Sequence, residues 1–495
     1  MCEFIEINFP VSLKRICEYA FYNCSKLDKI VFPQNICDIQ SCAFSQCRLS
    51  KIVIPGFINN IKDGTFCNCK YLTEVVIEKG TGAIDINAFR GCSNLRTVSL
   101  PQSLNIINSY AFKQCILLQD LIIPDTVEII GEFAFSCCSN MRTLKLGESL
   151  KTIKRNAFYR CSNLQVVTFQ PLITEIFESV FAECTKLSRI SFLEKNQTHI
   201  NNALYIGERV FCNCISLAAI IFPNNVKLIM KETFYNCKNL KNIYVGNNLE
   251  KVEELAFSGC SNLLKMELPK STKAIGKNSF AGRSSLEDVI LLPNITQIED
   301  SSFQNCTSLK KITLSNNITR IGKWAFAGCV KLNAFTYIGN DDSLAETDVL
   351  EIKCEIVEER SFDNYKSIKR IGFSNAVTTI QKFAFYNCSY LREVIFINNI
   401  KEIGEYAFYG CQIESITIHT SLTNIQQCTF LNNSNLVKVN FDHQNSKLKE
   451  IANDAFSNGL SLLEINIPST VETIGDDCFF SCSKLKNVIL PKQLK

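Results

Sequence analysis

The sequence predicts an α/β repeat solenoid, in which short parallel strands stack on one another and short helical or irregular turns connect them. Three observations predict this class. A phenylalanine recurs at a nearly constant interval, an alternating pair of apolar residues follows it, and an Ile or Val stands five residues before it. One such unit cannot bury its apolar face alone, so the units must stack against their neighbours.

The phenylalanine anchor defines 20 units in the 495 residues. Of the 19 intervals between consecutive anchors, 14 are 23 residues long, and the others are 22 (twice), 26, 30 and 36 residues. Because a solenoid grows by stacking, we expect one domain over residues 1–495 rather than the roughly three domains that this length suggests. The anchors are Phe21, Phe44, Phe66, Phe89, Phe112, Phe135, Phe158, Phe181, Phe211, Phe234, Phe257, Phe280, Phe303, Phe326, Phe362, Phe385, Phe408, Phe430, Phe456 and Phe479.

Each column of the repeat has a physical role. The alternating pair, for example Val75 and Ile77, has the period of a strand with one buried face. A proline such as Pro124 often follows the pair and ends the strand. The small residue, Phe, Cys and Leu that come next suit a short helical or irregular turn, and the β-branched residue before the anchor predicts a second extended piece. We expect each anchor ring to rest on the ring of the next unit.

The segment from Leu118 to Cys138 carries a recognisable pattern. It contains Leu118, Leu121, Ile123, Pro124, Ile130, Gly131, Ala134, Phe135 and Cys138. This pattern resembles the BspA-like leucine-rich-repeat family with 23-residue repeats, and the resemblance covers almost the whole chain. It implies a curved leucine-rich-repeat horseshoe that binds proteins and performs no catalysis. Members of that family are adhesin-like or surface-antigen-like proteins that bind host matrix proteins, and repeats of this type also occur in intracellular proteins, so an intracellular protein-interaction scaffold is the alternative.

Charge and hydropathy exclude several classes of function. The chain has 52 basic and 48 acidic side chains, a net charge of +4, which gives no basis for binding nucleic acid or an anionic membrane. No run of 18 apolar residues predicts a membrane span, and the first residues do not read as a secretory signal peptide. Two locations therefore stay open: the cell surface by resemblance, and the cytoplasm by the lack of a signal peptide and by free cysteines.

The cysteines fit a packing role better than a disulfide framework. Of the 26 cysteines, 16 lie in one column, three residues after the anchor, and the first unbroken run of that column holds an odd number, eleven. We therefore expect buried thiols. There is no Cys-x-x-Cys motif, and His199, His419 and His443 lie in different units. The sequence thus predicts no metal, no cofactor and no enzymatic activity.

The outward positions of the strands are the natural recognition surface. Val31, Val53 and Val76 form one apolar strip at these positions, and Ile221 with Tyr244 forms a second. An exposed apolar strip beside polar residues can mark a protein interface. The alternative is that β-branched residues simply suit a strand.

Three long intervals and both ends depart from the regular repeat. Insertions near residues 193–200, 338–351 and 442–447 fall between a strand and the next Ile column, so they should emerge along one rim. They are either binding loops or tolerated drift. Because the first and last units offer bare strand edges, the chain could also associate end to end. The predicted partner is a protein, such as a host matrix or surface protein.

Overall fold

The computed structural model describes residues 3–193, 203–291, 294–338, 344–347, 349–419 and 421–495. The chain divides into two compact units, Met1–Leu249 and Glu250–Lys495. Each unit is a β-solenoid of stacked coils. A regular coil contributes one strand of three to five residues and one strand of two residues.

The strands of the first unit alternate between the longer and the two-residue type. They are β1 Glu6–Asn8, β2 Arg15–Ile16, β3 Lys29–Val31, β4 Asp38–Ile39, β5 Lys51–Ile54, β6 Asn60–Ile61, β7 Glu74–Ile77, β8 Ala83–Ile84, β9 Thr97–Ser99, β10 Ile106–Ile107, β11 Asp120–Ile122, β12 Ile129–Ile130, β13 Thr143–Lys145, β14 Thr152–Ile153, β15 Val166–Phe169, β16 Glu175–Ile176, β17 Arg189–Phe192, β18 Tyr205–Ile206, β19 Ala219–Ile221, β20 Leu228–Ile229 and β21 Asn242–Tyr244.

The second unit continues the alternation, with an additional strand where the longest interval lies. Its strands are β22 Lys251–Val252, β23 Lys265–Glu267, β24 Ala274–Ile275, β25 Asp288–Ile290, β26 Gln297–Ile298, β27 Lys311–Ser315, β28 Arg320–Ile321, β29 Ala334–Ile338, β30 Leu344–Thr347, β31 Leu350–Ile352, β32 Ile356–Val357, β33 Arg370–Phe373, β34 Thr379–Ile380, β35 Glu393–Ile395, β36 Glu402–Ile403, β37 Ser415–Ile418, β38 Asn424–Ile425, β39 Lys438–Phe441, β40 Glu450–Ile451, β41 Glu464–Asn466, β42 Thr473–Ile474 and β43 Asn487–Ile489.

Equivalent strands of neighbouring coils pair in parallel. In the first unit β5 pairs with β7 so that Ile52 lies opposite Val75, and the two-residue strands from β6 to β18 form one seven-stranded sheet. In the second unit the longer strands from β31 to β43 form another seven-stranded sheet. Both predicted extended pieces of the repeat are therefore present as strands.

The anchor phenylalanines form the core of each unit. Their rings stack face to face on the ring of the next coil, with centroids 5.1 Å apart at the closest (Phe89 and Phe112) and 6.1 Å apart at the widest (Phe181 and Phe211). Phe135 is fully buried between Phe112 and Phe158, at 5.2 and 5.3 Å. The prediction that each ring rests on the next is confirmed within each unit.

The α/β class and the helical turns that we predicted are wrong, because no described residue is helical. The turn around each anchor has two residues with left-handed backbone, two positions before and two positions after the phenylalanine, with φ between 51° and 76°. Around Phe89, the amides of Ala88 and Arg90 bond three residues back, whereas the amide of Phe89 donates to the carbonyl of Ala111 at 2.8 Å. Because alternate amides bond to the next coil, the i to i−4 bonds of a helix cannot form.

The column that follows each anchor by three residues supplies a hydrogen-bond donor. For fourteen of the column cysteines, Sγ lies 3.0 to 3.4 Å from the carbonyl oxygen of the anchor phenylalanine in the preceding coil. Where Asn433 replaces the cysteine, its Nδ2 donates to the carbonyl of Phe408 at 2.9 Å. Arg283 likewise donates to the carbonyl of Phe257. The column therefore satisfies a backbone carbonyl as well as filling space.

The structure describes the insertion near 442–447 in full and the insertion near 338–351 in part. Of the interval near 338–351 the structure describes residues 338, 344–347 and 349–351, and there β29 pairs with β30 in antiparallel orientation, with Phe335 opposite Thr347. The interval near 442–447 is a turn in which Asp442 accepts a hydrogen bond from the amide of Gln444 at 3.2 Å. The insertion near 193–200 lies outside the described residues, apart from Leu193.

Candidate functional site

The first predicted strip lies on the outward face of the longer strands in the first unit. Val31 is 68 % exposed and Val53 is 53 % exposed, while Val76 is half-buried. Val53 lies opposite Val76 in the β5–β7 register, and β3 lies next to β5. The residues that flank them on the same strands, for example Ile52 and Ile54, point inward and are buried. The structure thus brings the three valines together on neighbouring strands.

The second predicted strip consists of two directly opposed residues. Ile221 in β19 pairs with Tyr244 in β21, and their side chains are 65 % and 59 % exposed. Beside them, Ala219 lies opposite Asn242. The structure therefore places these two apolar side chains next to each other at the surface of the same unit.

Charged residues border the valine strip. Lys51 and Glu74 lie opposite each other at the start of β5 and β7, and their charged groups are 2.8 Å apart. Their side chains are largely exposed, so this ion pair adds little stability. It does set the polar edge of the strip, because Lys51 and Glu74 stand two residues before Val53 and Val76.

Two exposed apolar residues near the predicted strips were not singled out from the sequence. Ile122 is 63 % exposed at the outward position of β11, in the same column as the valines. Phe57 is 66 % exposed just after β5, in a column that holds Asn35 and Ser103 in other coils. An aromatic residue in a column that holds mostly Asn, Ser and Thr, with Leu172 as another apolar member, was the signal that could have identified Phe57.

The described residues contain no cluster of three or more His, Cys, Asp or Glu side chains that could hold a metal ion. His419 Nε2 lies 3.1 Å from the carbonyl oxygen of Phe396, and His443 lies in the 442–447 turn. His199 lies outside the described residues. No described segment forms a helix with the length and hydrophobicity that crossing a membrane requires.

The buried cysteines of the column are expected to be unreactive. Each described cysteine carries a thiol, and the side chains of Cys69, Cys92 and Cys161 are fully buried. Burial raises the pKa of these thiols well above the usual value. The thiolate, which is the nucleophile and the metal ligand, is therefore suppressed in the column.

Solved structures of similar proteins include several bacterial repeat proteins. The T. pallidum leucine-rich-repeat protein TpLRR is 24 % identical over 36 % of this chain and 81 % of its own, with a TM-score of 0.33. A leucine-rich-repeat protein from Bacteroides ovatus is 22 % identical over 99 % of this chain and 88 % of its own, with a TM-score of 0.29. A leucine-rich cell surface protein from Faecalibacterium prausnitzii is 20 % identical over 89 % and 87 %, with a TM-score of 0.29.

Sequence comparison assigns the family. A search of curated proteins returns no match. The family model of the BspA-type leucine-rich repeat region matches residues 1–119, 105–205, 204–333 and 355–486, which together make up most of the chain. The matched residues include the stacked phenylalanines, the strand pairs and the cysteine column in both units. The chain belongs to the BspA-type leucine-rich-repeat family.

Proposed function

We propose that the chain is a non-enzymatic scaffold that binds proteins through the exposed strand face of its first unit. One observation carries this proposal: Val31 and Val53 are more than half exposed on neighbouring strands, beside the Lys51–Glu74 pair. Burying apolar side chains of this size contributes about 1.5–3 kcal/mol each, which favours covering them with a partner. Tyr244, with Ile221, offers a second anchor of the type that dominates protein interfaces.

Adhesion at a cell surface is the specific form of this function that family membership favours. In that case the partner is a matrix or surface protein of another cell. Purified matrix proteins such as fibronectin, fibrinogen, laminin and collagen are the probes to use first. The corresponding measurement is equilibrium binding of the purified chain to each immobilised protein.

The triple replacement of Val31, Val53 and Val76 by Asp tests the binding surface. Each new carboxylate would have to be desolvated in the complex, so we expect partner binding to weaken by roughly 100-fold or more. The fold should survive, because Val31 and Val53 face solvent. Circular dichroism and the unfolding midpoint check the fold, and the affinity for the matrix protein found above checks the interface.

A matched control carries the same three charges elsewhere. Ser415, Thr417 and Asn466 are exposed outward residues of β37 and β41 in the second unit, and their replacement by Asp should leave the affinity unchanged. An unaltered affinity in the valine triple variant would remove the valine strip from the interface. Equal loss in both variants would point to a general effect of charge.

An intracellular scaffold is the second candidate, and the column thiols favour it. Buried cysteines that remain thiols are typical of a reducing compartment. Limited proteolysis of intact, unpermeabilised cells, followed with antibodies to the 442–447 turn, separates the two candidates. Cleavage on intact cells supports surface adhesion, and protection until lysis supports the intracellular scaffold.

A further inference from the structure

A shallow groove of about 370 Å³ lies on the turn side of the first three coils, away from the strand face. Its walls come from residues two to five positions after the anchor phenylalanines Phe21, Phe44 and Phe66. The lining residues are Asn23, Ser25, Gln46, Cys47, Arg48, Asn68, Lys70 and Tyr71. The lining therefore contains two cations, three carboxamides, two hydroxyls (one of them on an aromatic ring) and a thiol, and it contains no carboxylate.

The two cations are available to a ligand. Among the described residues neither Arg48 nor Lys70 forms an ion pair, whereas nearby Lys26 pairs with Glu3. The Arg48 guanidinium stands 5.1 Å from the ring centre of Tyr71, which is 56 % exposed. This stacking holds the guanidinium at the groove and leaves its N–H donors unused. The groove thus selects for negative charge.

The carboxamides are also available. Asn23 and Asn68 occupy the same column of the repeat, and within the described chain their side chains make no hydrogen bond. Farther along the same unit, that column holds Asn213 and Asn236, whose carboxamides bond to each other at 2.9 Å. Gln46, between Asn23 and Asn68, donates to a tyrosine hydroxyl and keeps its oxygen unused. A carboxamide offers both a donor and an acceptor, which suits neighbouring hydroxyl groups.

We propose that this groove binds an acidic saccharide, with its carboxylate or sulfate on Arg48 and Lys70 and its hydroxyls on Asn23, Gln46 and Asn68. The three carboxamides come from consecutive coils, which are spaced by about 4.8 Å. This spacing is close to the length of one pyranose residue, so successive sugars meet successive coils. The groove is far larger than a phosphate or sulfate ion, and it lies within the size range of sites for small organic ligands.

Isothermal titration calorimetry of the full chain with four probes tests the proposal. The probes are a sulfated heparin tetrasaccharide, a galacturonate tetrasaccharide, the neutral maltotetraose and inorganic sulfate. We expect both acidic tetrasaccharides to bind, with affinity falling as salt rises, and the other two to bind at least tenfold more weakly. Sulfate that matches the tetrasaccharides would reduce the groove to a simple anion site and overturn the proposal. Equal binding of maltotetraose, or no binding of the acidic sugars, would also overturn it.

Two paired variants locate the site. The R48Q/K70Q variant should bind the acidic sugars about tenfold more weakly per cation removed, and N23A/N68A about tenfold more weakly in total. The charge control is K154Q/K186Q, which changes two exposed lysines of the same unit, and the carboxamide control is N236A. Both controls should retain wild-type affinity. Losses of equal size in test and control variants would overturn the assignment to this groove. Unfolding midpoints establish that each variant is folded.

Discussion

Cysteines in different parts of the coil differ in how accessible their thiols are. Cys161 in the column is fully buried with a raised pKa, whereas Cys17 and Cys37 are exposed. We therefore expect a thiol reagent such as DTNB to modify Cys17 and Cys37 in the folded protein and Cys161 only after unfolding, because the reagent needs an accessible thiolate. Mass spectrometry of the modified peptides measures this order.

The matched variant for that experiment is C17S/C37S. It should lose the fast modification of Cys17 and Cys37 and retain the slow modification of the buried column cysteines. Modification of Cys161 at the rate of Cys17 in the folded protein would contradict the burial of the column.

Asp38 gives a pH-dependent contribution to stability. Its carboxylate accepts hydrogen bonds from Lys62 at 2.8 Å and Arg15 at 2.9 Å, and the Lys62 bond, against the opposing effect of burial, keeps the pKa below its usual value. Because the pKa of Asp38 is lower in the folded state than in the unfolded state, its charged carboxylate stabilises the fold at pH values above the unfolded-state pKa. That stabilisation disappears as the pH falls through the folded-state pKa. We expect Asp38→Asn to cost about 0.5–1 kcal/mol at pH 7, and the cost to shrink below about pH 4.

Urea unfolding of wild type and Asp38→Asn at pH 7 and at pH 3 measures this difference in the free energy of unfolding. Glu128, which pairs with Lys151 through two half-exposed side chains, provides the control Glu128→Gln. A cost for Asp38→Asn that is as large at pH 3 as at pH 7 would refute the electrostatic explanation.

At the scale of the element, the strands were predictable and the turn was not. Alternation such as Val75 and Ile77 permits only one buried face and predicted the longer strand, and the Ile or Val column five residues before each anchor predicted the two-residue strand. Apolar spacings of three and six residues in the turn fit a helix equally well, because they do not show where the amides bond. A signal was present, since Asn68 and Gly91 stand at the left-handed position two after the anchor, and both residue types tolerate it.

The left-handed positions predict which substitutions stabilise the turn. Leu255, two residues before Phe257, has φ of +57°, in a column where Asn87 and Asn156 adopt the same conformation. Because Leu is strained there and Asn is not, we expect Leu255→Asn to raise the free energy of unfolding by roughly 0.5–1 kcal/mol. Leu255→Val, whose β-branch worsens the strain, should lower it. Thermal unfolding of the two variants measures the effect, and a destabilised Leu255→Asn would contradict it.

At the scale of the whole molecule, the sequence predicted the repeat, the stacked core and the thiol column, because each depends only on a residue and its nearest coils. The exposure of Val31 and Val53 follows from the same alternation, but their role in binding stays a prediction. The available carboxamides of Asn23 and Asn68 could not be predicted, since Asn213 in the same column bonds to its neighbour. That all repeats form one solenoid domain also stays a prediction.

Stacking of equivalent coils predicts that a whole repeat can be removed. Leu100 and Ile123 are 23 residues apart and end equivalent strand segments, so deleting residues 101–123 joins Leu100 to Pro124 and preserves the register. We expect this variant to fold. Its free energy of unfolding should be lower by the contribution of one repeat and of one interface between neighbouring repeats. Deleting residues 100–121 instead joins Ser99 to Ile122 and leaves one extra residue inside the strand segment, which turns the buried Ile123 outward. That variant should aggregate or unfold, as gel filtration and circular dichroism can show. If both deletions behave alike, register between coils does not determine folding here.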